Sequence, residues 1–432
     1  MTMGPSIRSI QDVADKHLCS GCGVCAYLQP GLISMEDEPD RGLRPLVRPL
    51  PDGSPGDTSP ALAACPGIGL SRLGADPDSQ HLSELWEGWG PVIELWEGYA
   101  ADPEVRHAAS SGGIATALAL HCIDEESMHG VLHIRARQDV PYLNKTVLSR
   151  TRVEMLEATG SRYAPASPCD RLDLVEEAPE PCVFIGKPCD VAALSMARRL
   201  RPELDRQVGL TIAIFCAGTP STRGTLEMLS SMGIDDVKDV ESIRYRGNGW
   251  PGPAEAVVQT PQGQVSRTLT YEESWGEILQ KHRQWRCYVC ADHTGEFADV
   301  AVGDPWYRPI PPDEPGRSLV VVRTERGRQL VNAAISSGSL RLERVSPDIL
   351  PASQPNLLRA EGATWGRTVA TRMVGVASPR YRNFRLLPIW WRHLSGLEKT
   401  RSILGTFRRV ITKRLYRRAS PDNQAHDRKV SV

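Results

Sequence analysis

The chain has 432 residues, and at roughly 150 residues per domain it has room for two or three domains with buried cores. Its 41% hydrophobic and 24% charged residues are typical of a globular protein, which excludes a collagenous, coiled-coil or disordered chain. The net charge of −1 for the whole chain does not indicate any class of binding partner, and we expect no binding to nucleic acid.

The sequence shows no sign of a membrane span or a secretory signal. No apolar run approaches the roughly 20 residues that cross a bilayer, and the first residues lack the pattern of a signal peptide. We therefore expect a cytoplasmic protein, attached to a membrane at most peripherally. Its eleven cysteines need an explanation other than disulfides, because cytoplasmic thiols stay reduced and an odd number cannot all pair.

The first segment, residues 1–81, is predicted to fold around an inorganic centre. Its residues 19–25 form a C-x-x-C-x-x-C run, the spacing that ferredoxins use for a 4Fe–4S cluster. The Cys-Pro that would follow in a bacterial ferredoxin is replaced by Gln29-Pro30, so the fourth ligand must come from elsewhere. Zinc and free thiols are the alternatives. The predicted ligands of this ferredoxin-like segment are Cys19, Cys22, Cys25 and Cys65.

The second segment, residues 82–350, alternates short apolar runs with helical patterns, which predicts an α/β domain. Two of its cysteines follow apparent strands, and two more form a C-x-x-C pair. Because the carboxyl ends of strands converge in an open α/β sheet, these four thiols are expected to meet. The predicted ligands of a second 4Fe–4S cluster are Cys189, Cys216, Cys287 and Cys290. Structural thiols are the alternative, the C-x-x-C pair alone would also suit zinc or a redox dithiol, and Cys169 or Cys182 could replace Cys216.

Two short segments of this domain have the composition of a flavin site. Residues 110–113 lead into an apolar helix, whose free N–H groups and dipole favour a pyrophosphate; a serine N-cap is the alternative. Residues 160–163 add donors, a cation and a ring that can border a flat heterocycle. The predicted cofactor-binding residues are Ser110, Ser111, Gly112, Gly113, Gly160, Ser161, Arg162, Tyr163 and Lys187. Lys187 and Tyr163 are the predicted catalytic residues, since a cation beside a flavin stabilises its reduced anion.

The third segment, residues 351–432, is strongly basic over part of its length. Between Arg380 and Arg418 it holds twelve Lys and Arg residues against one acid, Glu398, with apolar residues interleaved. This pattern predicts a basic amphipathic helix. The helix is expected either to pack on the main domain with a solvated face, or to dock on an acidic protein or an anionic membrane surface.

The sequence resembles the beta subunits of coenzyme F420-reducing hydrogenases and dehydrogenases, a family that also includes 7-hydroxymethyl chlorophyll reductase. The matching blocks, which occur in the order expected for the family, are residues 19–25, 110–113, 160–163, 186–190, 215–221, 246–250, 287–290 and 298–304. Two features depart from the family pattern: Ala217 stands where relatives often have His, and the basic stretch from Arg380 is not shared.

The resemblance implies an oxidoreductase that binds FAD and one or two 4Fe–4S clusters. Such a protein would take electrons from a ferredoxin-like donor and exchange hydride with coenzyme F420 or a small organic substrate. An electron-transfer subunit of a larger hydrogenase or dehydrogenase, and a redox-silent binding protein, are the alternatives.

Overall fold

The N-terminal part of the chain is built from short elements around residues 19–25. The computed structural model describes residues 6–54, 56–72, 74, 76–311 and 314–419. Within them no helix is long and apolar enough to cross a bilayer. The first elements are α1 (Ile10–Asp15), α2 (Val24–Leu28), the hairpin β1 (Ile33–Glu38) and β2 (Gly42–Val47), α3 (Ser59–Leu62) and β3 (Gly69–Ser71).

The middle of the chain alternates strands and helices as far as residue 353. Its strands are β4 (Glu94–Ala100), β5 (Val131–Ala136), β6 (Asn144–Ser149), β7 (Cys182–Gly186), β8 (Val208–Ile214), β9 (Val240–Arg244), β10 (Ala254–Thr260), β11 (Gly263–Leu269), β12 (Val300–Gly303), β13 (Ser318–Val322) and β14 (Leu340–Arg344). Its α-helices are α4 (Trp86–Trp89), α5 (Pro103–Ala108), α6 (Ile114–Asp124), α7 (Arg152–Glu157), α8 (Asp173–Glu176), α9 (Pro188–Arg198), α10 (Pro202–Gln207), α11 (Thr222–Ser231), α12 (Trp285–Tyr288), α13 (Glu325–Ser336) and α14 (Ile349–Ser353).

Eight of these strands form one mixed sheet in the order β14-β4-β13-β12-β8-β7-β5-β6. The inner strands β12, β8, β7 and β5 are parallel, and antiparallel pairs flank them on both sides. Alternate residues of a strand enter different apolar clusters: Val320 and Val322 pack with α6 and α13, while Leu319 and Val321 pack on the opposite face. Burial on both faces explains the continuous apolar runs in the sequence. The predicted α/β class is confirmed.

A separate three-stranded antiparallel sheet, β11-β10-β9, forms a smaller lobe. Its apolar side packs on α11, and Tyr163, Tyr245 and Trp275 belong to or contact the same cluster. The lobe therefore carries aromatic residues to the edge of the main sheet.

The C-terminal part differs from the single amphipathic helix that the sequence predicts. It consists of α15 (Pro355–Met373), β15 (Arg380–Arg382), α16 (Leu386–His393) and α17 (Gly396–Thr412). A new helix starts at α17 because Ser395 and Glu398 form a capping box. Glycines of α15 allow the close approach, since a Cβ at Gly366 would lie 2.2 Å from Ser402 Oγ of α17.

The C-terminal extension also packs on the N-terminal segment. Val410 and Leu415 share an apolar cluster with Leu18, Cys25 and Cys65. Strand β15 pairs in parallel with β3. The two ends of the described chain thus contribute to one packed unit.

Candidate active site

A cleft of about 350 Å³ lies at the carboxyl ends of the four parallel strands. Its walls include Ile134 in the second half of β5, Lys187 after β7, Cys216 after β8 and Asp304 after β12. This is the edge at which open α/β sheets bind ligands. Its volume is within the range of small-molecule and cofactor sites.

The segment at residues 110–113 borders the cleft, but its serines are bonded to the protein. Ser110 Oγ donates to the carbonyl of Arg246 at 3.1 Å and accepts from the Ser161 N–H at 2.6 Å. Ser111 Oγ donates to the carbonyl of Arg317, and the Gly112 N–H donates to Ser318 Oγ at 2.8 Å. These hydroxyls therefore hold the loop in place at the edge of the cleft.

The first turn of α6 offers the donors that this loop does not. Gly113 adopts a φ of 77°, which turns the chain into the helix, and no side chain caps the helix start. The N–H groups of Ile114, Ala115 and Thr116 have no partner within the described part of the chain, and all three residues line the cleft. The N-terminus of α6 can therefore bind an anion. Thr116 was not among the predicted site residues.

Residues 160–163 divide into structural and cleft-facing groups. Gly160 adopts a φ of 105°, beside the carbonyl of Arg246. All three guanidinium nitrogens of Arg162 donate to protein acceptors, namely Asn144 Oδ1 and the carbonyls of Ile243, Pro141 and Leu143. Burial lowers the pKa of Arg162. Tyr163 lies on the cleft, with its ring centroid 4.8 Å from that of Trp275.

Lys187 is a fixed cation at the inner end of the cleft. Its Nζ lies 2.7 Å from both carboxylate oxygens of Asp190 and 3.3 Å from the carbonyl oxygen of Ala166. Burial alone lowers the pKa of Lys187, but the charges of Asp190, Cys189 and Cys216 raise it above its usual value. Lys187 therefore stays charged between the cleft and the second cysteine set.

The cleft is also lined by an ion pair and by aromatic rings, none of which was predicted from the sequence. Arg246 Nη1 and Nη2 lie 2.8 and 2.6 Å from the two carboxylate oxygens of Asp304. Trp250 Nε1 donates to Asp304 at 2.7 Å, and the rings of Tyr271 and Trp306 lie 5.1 and 5.5 Å from the guanidinium. Arg246 and Asp304 occur in two of the resembling blocks, which was the signal available in the sequence.

The structure brings together the four cysteines of the first set. Burial raises the pKa of Cys25, and the charges of Cys19, Cys22 and Cys65 raise it further, which places all four thiols in one group. Gly21 donates its N–H to Cys19 Sγ at 3.3 Å. The backbone N–H groups of Val24, Ala26 and Gly67 act in the opposite direction and lower the pKa values of Cys22, Cys25 and Cys65. Cys19 is partly exposed and the other three are buried.

The four cysteines of the second set also lie near one another. Burial raises the pKa of Cys216 to about 12, with Cys287 and Cys290 contributing, and the charges of Cys216 and Cys290 raise that of Cys189. Thr219 donates its N–H to Cys287 Sγ at 3.3 Å. Cys216 lines the cleft, so this set adjoins the predicted flavin site.

The two alternative ligands lie in different places. Cys182 begins β7, at the end of the strand remote from the cleft, and its Sγ donates to the carbonyl of Glu180. Cys169 is buried, and the charges of Cys22 and Cys189 both act on its thiol. Cys169 therefore lies between the two sets.

Two buried arginines, also missed from the sequence, lie between the same two sets. Burial lowers the pKa of Arg44, although the charges of Cys19 and Cys287 act to raise it. For Arg286 the effect of burial is outweighed by Tyr381, Cys290, Cys189 and Cys287, and its pKa is raised. The Nε of each lacks a hydrogen-bond partner within the described residues. Arg286 Nη2 donates to the carbonyl of Pro66, next to Cys65, at 2.9 Å.

Within the described ranges, no three His, Cys, Asp or Glu side chains are arranged to hold a single metal ion. A tetrahedral Zn²⁺ requires its four sulfurs within about 2.3 Å of one point. A cubane of four irons and four sulfides holds its cysteine sulfurs further apart.

Two family models match the chain and together span more than half of it. Both describe the beta subunit of coenzyme F420 hydrogenase/dehydrogenase: residues 95–172 match the model of its N-terminal part, and residues 180–348 match the model of its C-terminal part. The matches leave out the first cysteine set and the basic C-terminal stretch.

Individual relatives agree with these matches. The coenzyme F420 hydrogenase subunit beta of Methanosarcina barkeri is 27% identical over 275 residues, covering 60% of this chain and 86% of the relative. The F420-dependent formate dehydrogenase subunit beta of Methanocaldococcus jannaschii is 24% identical, covering 57% and 61%. A chain of the F420-reducing NiFe hydrogenase complex from Methanosarcina barkeri superposes with a TM-score of 0.51 at 22% identity, covering 68% of this chain and 96% of that chain. That superposition shows a shared fold.

Proposed function

Because the chain belongs to the coenzyme F420 hydrogenase/dehydrogenase beta-subunit family, we propose that it is an FAD-dependent iron–sulfur oxidoreductase. It would pass electrons between two 4Fe–4S clusters and FAD, and exchange hydride with coenzyme F420 or a small organic substrate. The observation that carries the proposal is one continuous cleft, which runs from the free N–H groups of α6 to Cys216.

The residues of the cleft fit a flavin nucleotide. The first turn of α6 supplies N–H donors for a pyrophosphate, and Tyr163, Tyr271 and Trp306 supply flat apolar walls. When bound, a flavin joins one-electron and two-electron carriers. Lys187 holds a positive charge at the inner end of the cleft, where it would favour the reduced anion. The ring of Tyr163 would border the heterocycle.

The two cysteine sets fit 4Fe–4S clusters in number, grouping and surroundings. Backbone N–H groups bond to the sulfurs in both sets, as they do around anionic clusters. Arg44 and Arg286 are buried cations for which the structure gives no carboxylate partner within the described chain, and an unpaired buried charge is costly. Anionic clusters on the two sets would supply the missing countercharge. The proposed ligands remain Cys19, Cys22, Cys25 and Cys65, and Cys189, Cys216, Cys287 and Cys290.

A second candidate function is the electron-transfer subunit of a larger enzyme. The relatives are named as subunits, and the similar solved chain belongs to a hydrogenase complex. This hypothesis predicts a partner subunit that carries the primary active site. A redox-silent binding protein is disfavoured, because both cysteine sets are complete.

Anaerobic purification with iron, sulfide and flavin measured together tests the proposal. About eight irons and one FAD per chain are expected for two cubanes and one flavin. Cys22→Ser and Cys290→Ser should each remove about half of the iron, whereas Cys182→Ser, the matched control outside both sets, should remove none. Full iron in Cys290→Ser would refute the second cluster.

Hydride exchange with coenzyme F420 then distinguishes a stand-alone enzyme from an electron-transfer subunit. Reoxidation of the reduced protein by F420, with nicotinamides as the comparison, supports a stand-alone enzyme. If the protein carries its full cofactors but exchanges hydride only after a co-purifying subunit is added, it is the electron-transfer subunit.

A further inference from the structure

A strongly basic groove lies on the surface next to the first cysteine set. Its volume is about 420 Å³, and eight Lys and Arg side chains and one carboxylate, Asp40, are among its described lining residues. Two of these cations also have carboxylate partners outside the lining: Arg41 pairs with Glu38, and Arg418 lies within 4.0 Å of Asp12 and Asp15. The cations come from three separate parts of the chain. They include Arg41 and Arg44 of the N-terminal segment, Lys281 and Arg283 before α12, and Lys413 and Arg417 after α17.

The groove lies next to both cysteine sets. Arg44 lines the groove with only 5% of its surface exposed, and its Nη1 lies 3.8 Å from the position of a Cβ at Gly21, whose N–H donates to Cys19 Sγ. Arg44 Nη2 donates to Gln284 Oε1 at 2.8 Å, and the Cys287 N–H donates to the carbonyl of Gln284 at 3.0 Å. Cys19 is the partly exposed member of the first set, and Cys287 is partly exposed in the second. A molecule seated in the groove would therefore lie beside both sets, with Arg44 between them.

We propose that this groove is the docking site of a small acidic redox protein that carries single electrons. The inference rests on the proposed function and adds to it the place where electrons enter or leave. In the reducing direction, each encounter moves one electron from the partner to this chain, and the partner leaves oxidised by one electron. Two encounters and one proton from solvent supply one hydride equivalent.

Charge complementarity and shape favour an acidic protein over a lipid surface. The cations converge inward on a concave groove, which suits protruding carboxylates, and opposite potentials steer such partners together. A flat anionic bilayer would instead meet the outward side of α17, where Leu404 and Ile411 are 60% and 68% exposed beside Arg401 and Arg408. The basic C-terminal stretch thereby gains a role: its end completes the groove.

The test uses the full chain and a reduced bacterial 2[4Fe–4S] ferredoxin, an acidic protein, as the probe. The groove variant is Lys281→Glu/Lys413→Glu, two exposed residues outside both cysteine sets. The matched control is Arg401→Glu/Arg408→Glu, which makes the same change in net charge on the outward side of α17. Stopped-flow bleaching gives the rate of electron transfer, and the affinity for oxidised ferredoxin is measured in parallel.

The groove variant should react at least about tenfold more slowly than the wild type at about 0.02 M salt, and the difference should largely vanish near 1 M salt. Its affinity for oxidised ferredoxin should fall by a similar factor. The control should stay within about twofold of the wild type, and reduction by dithionite should be equal in all three proteins.

Equal loss in both variants, or no loss in the groove variant, would overturn the proposal. A second outcome would also overturn it. If the wild type binds vesicles of phosphatidylglycerol and phosphatidylcholine but not ferredoxin, and the groove variant loses vesicle binding, the groove is a lipid site. The affinity measurement does not need the clusters, so the groove is tested even if the iron analysis refutes the proposed function.

Discussion

Replacing Asp304 by Asn should destabilise the protein through the wall of the cleft. The side chains of Arg246 and Asp304 are only 4% and 16% exposed, and two hydrogen bonds of 2.6 and 2.8 Å join them. Asn keeps the shape but removes the charge, which leaves Arg246 buried without a carboxylate. Removing one partner of a buried pair costs about 3–5 kcal/mol. Even about 3 kcal/mol raises the unfolding constant more than about 100-fold.

Urea unfolding under anaerobic conditions, followed by tryptophan fluorescence and circular dichroism, measures this loss. The matched control is Asp139→Asn, which breaks the exposed pair of Arg137 and Asp139. Its side chains are 39% and 66% exposed, so the control should lose much less stability than Asp304→Asn. A loss in Asp304→Asn that is no larger than in the control would refute the reasoning, because the pair would then behave as solvated.

Three further predictions concern single residues. Gly112→Ala should cost about 1–3 kcal/mol of stability in thermal or urea unfolding, because its Cβ would lie 2.6 Å from the carbonyl oxygen of Gly98; Gly396→Ala, in open space, should cost nothing comparable. Burial raises the pKa of Asp170 from 3.8 to about 6, so the native state holds a proton that the unfolded chain releases; stability should fall by up to about 3 kcal/mol as pH rises from about 4 to about 6. Asp170→Asn should remove that slope, and a slope unchanged in the variant would assign it to another group. Arg286→Met should lower the midpoint potentials of the proposed clusters, by about 90 mV if the charges are about 8 Å apart at an effective dielectric constant of about 20. An EPR-monitored redox titration measures this shift, and unchanged potentials at full iron content would exclude the electrostatic role.

The parts of the fold that were predictable are those that local patterns determine. Runs such as residues 318–322 are apolar at every position after the first because both faces of the sheet are buried, and that signal is visible in the sequence. The positions of Cys189 and Cys216 followed from the same signal, since each comes just after a strand that could be recognised.

The parts that were not predictable depend on partners distant in sequence. Nothing local to Arg162 indicates that carbonyls of residues 141, 143 and 243 take its donors, so it resembles a phosphate ligand until the fold is known. The partners of the Ser110 and Ser111 hydroxyls, the carbonyls of Arg246 and Arg317, are likewise distant in sequence. Arg246 and Asp304 are separated by 58 residues, and only the fold makes them a pair.

The contact between the two ends of the described chain has a consequence for handling the protein in air. Val410 and Leu415 lie in the apolar cluster that contains Cys25 and Cys65, so the C-terminal extension covers one side of the first cysteine set. A chain truncated after α15 would leave that side open to water and dissolved oxygen. Thiolates are oxidised according to their accessibility, and the same exposure would reach the cluster proposed for this set. The extension is therefore expected to set the lifetime of the centre under oxygen, a property that stability measurements under argon would not reveal.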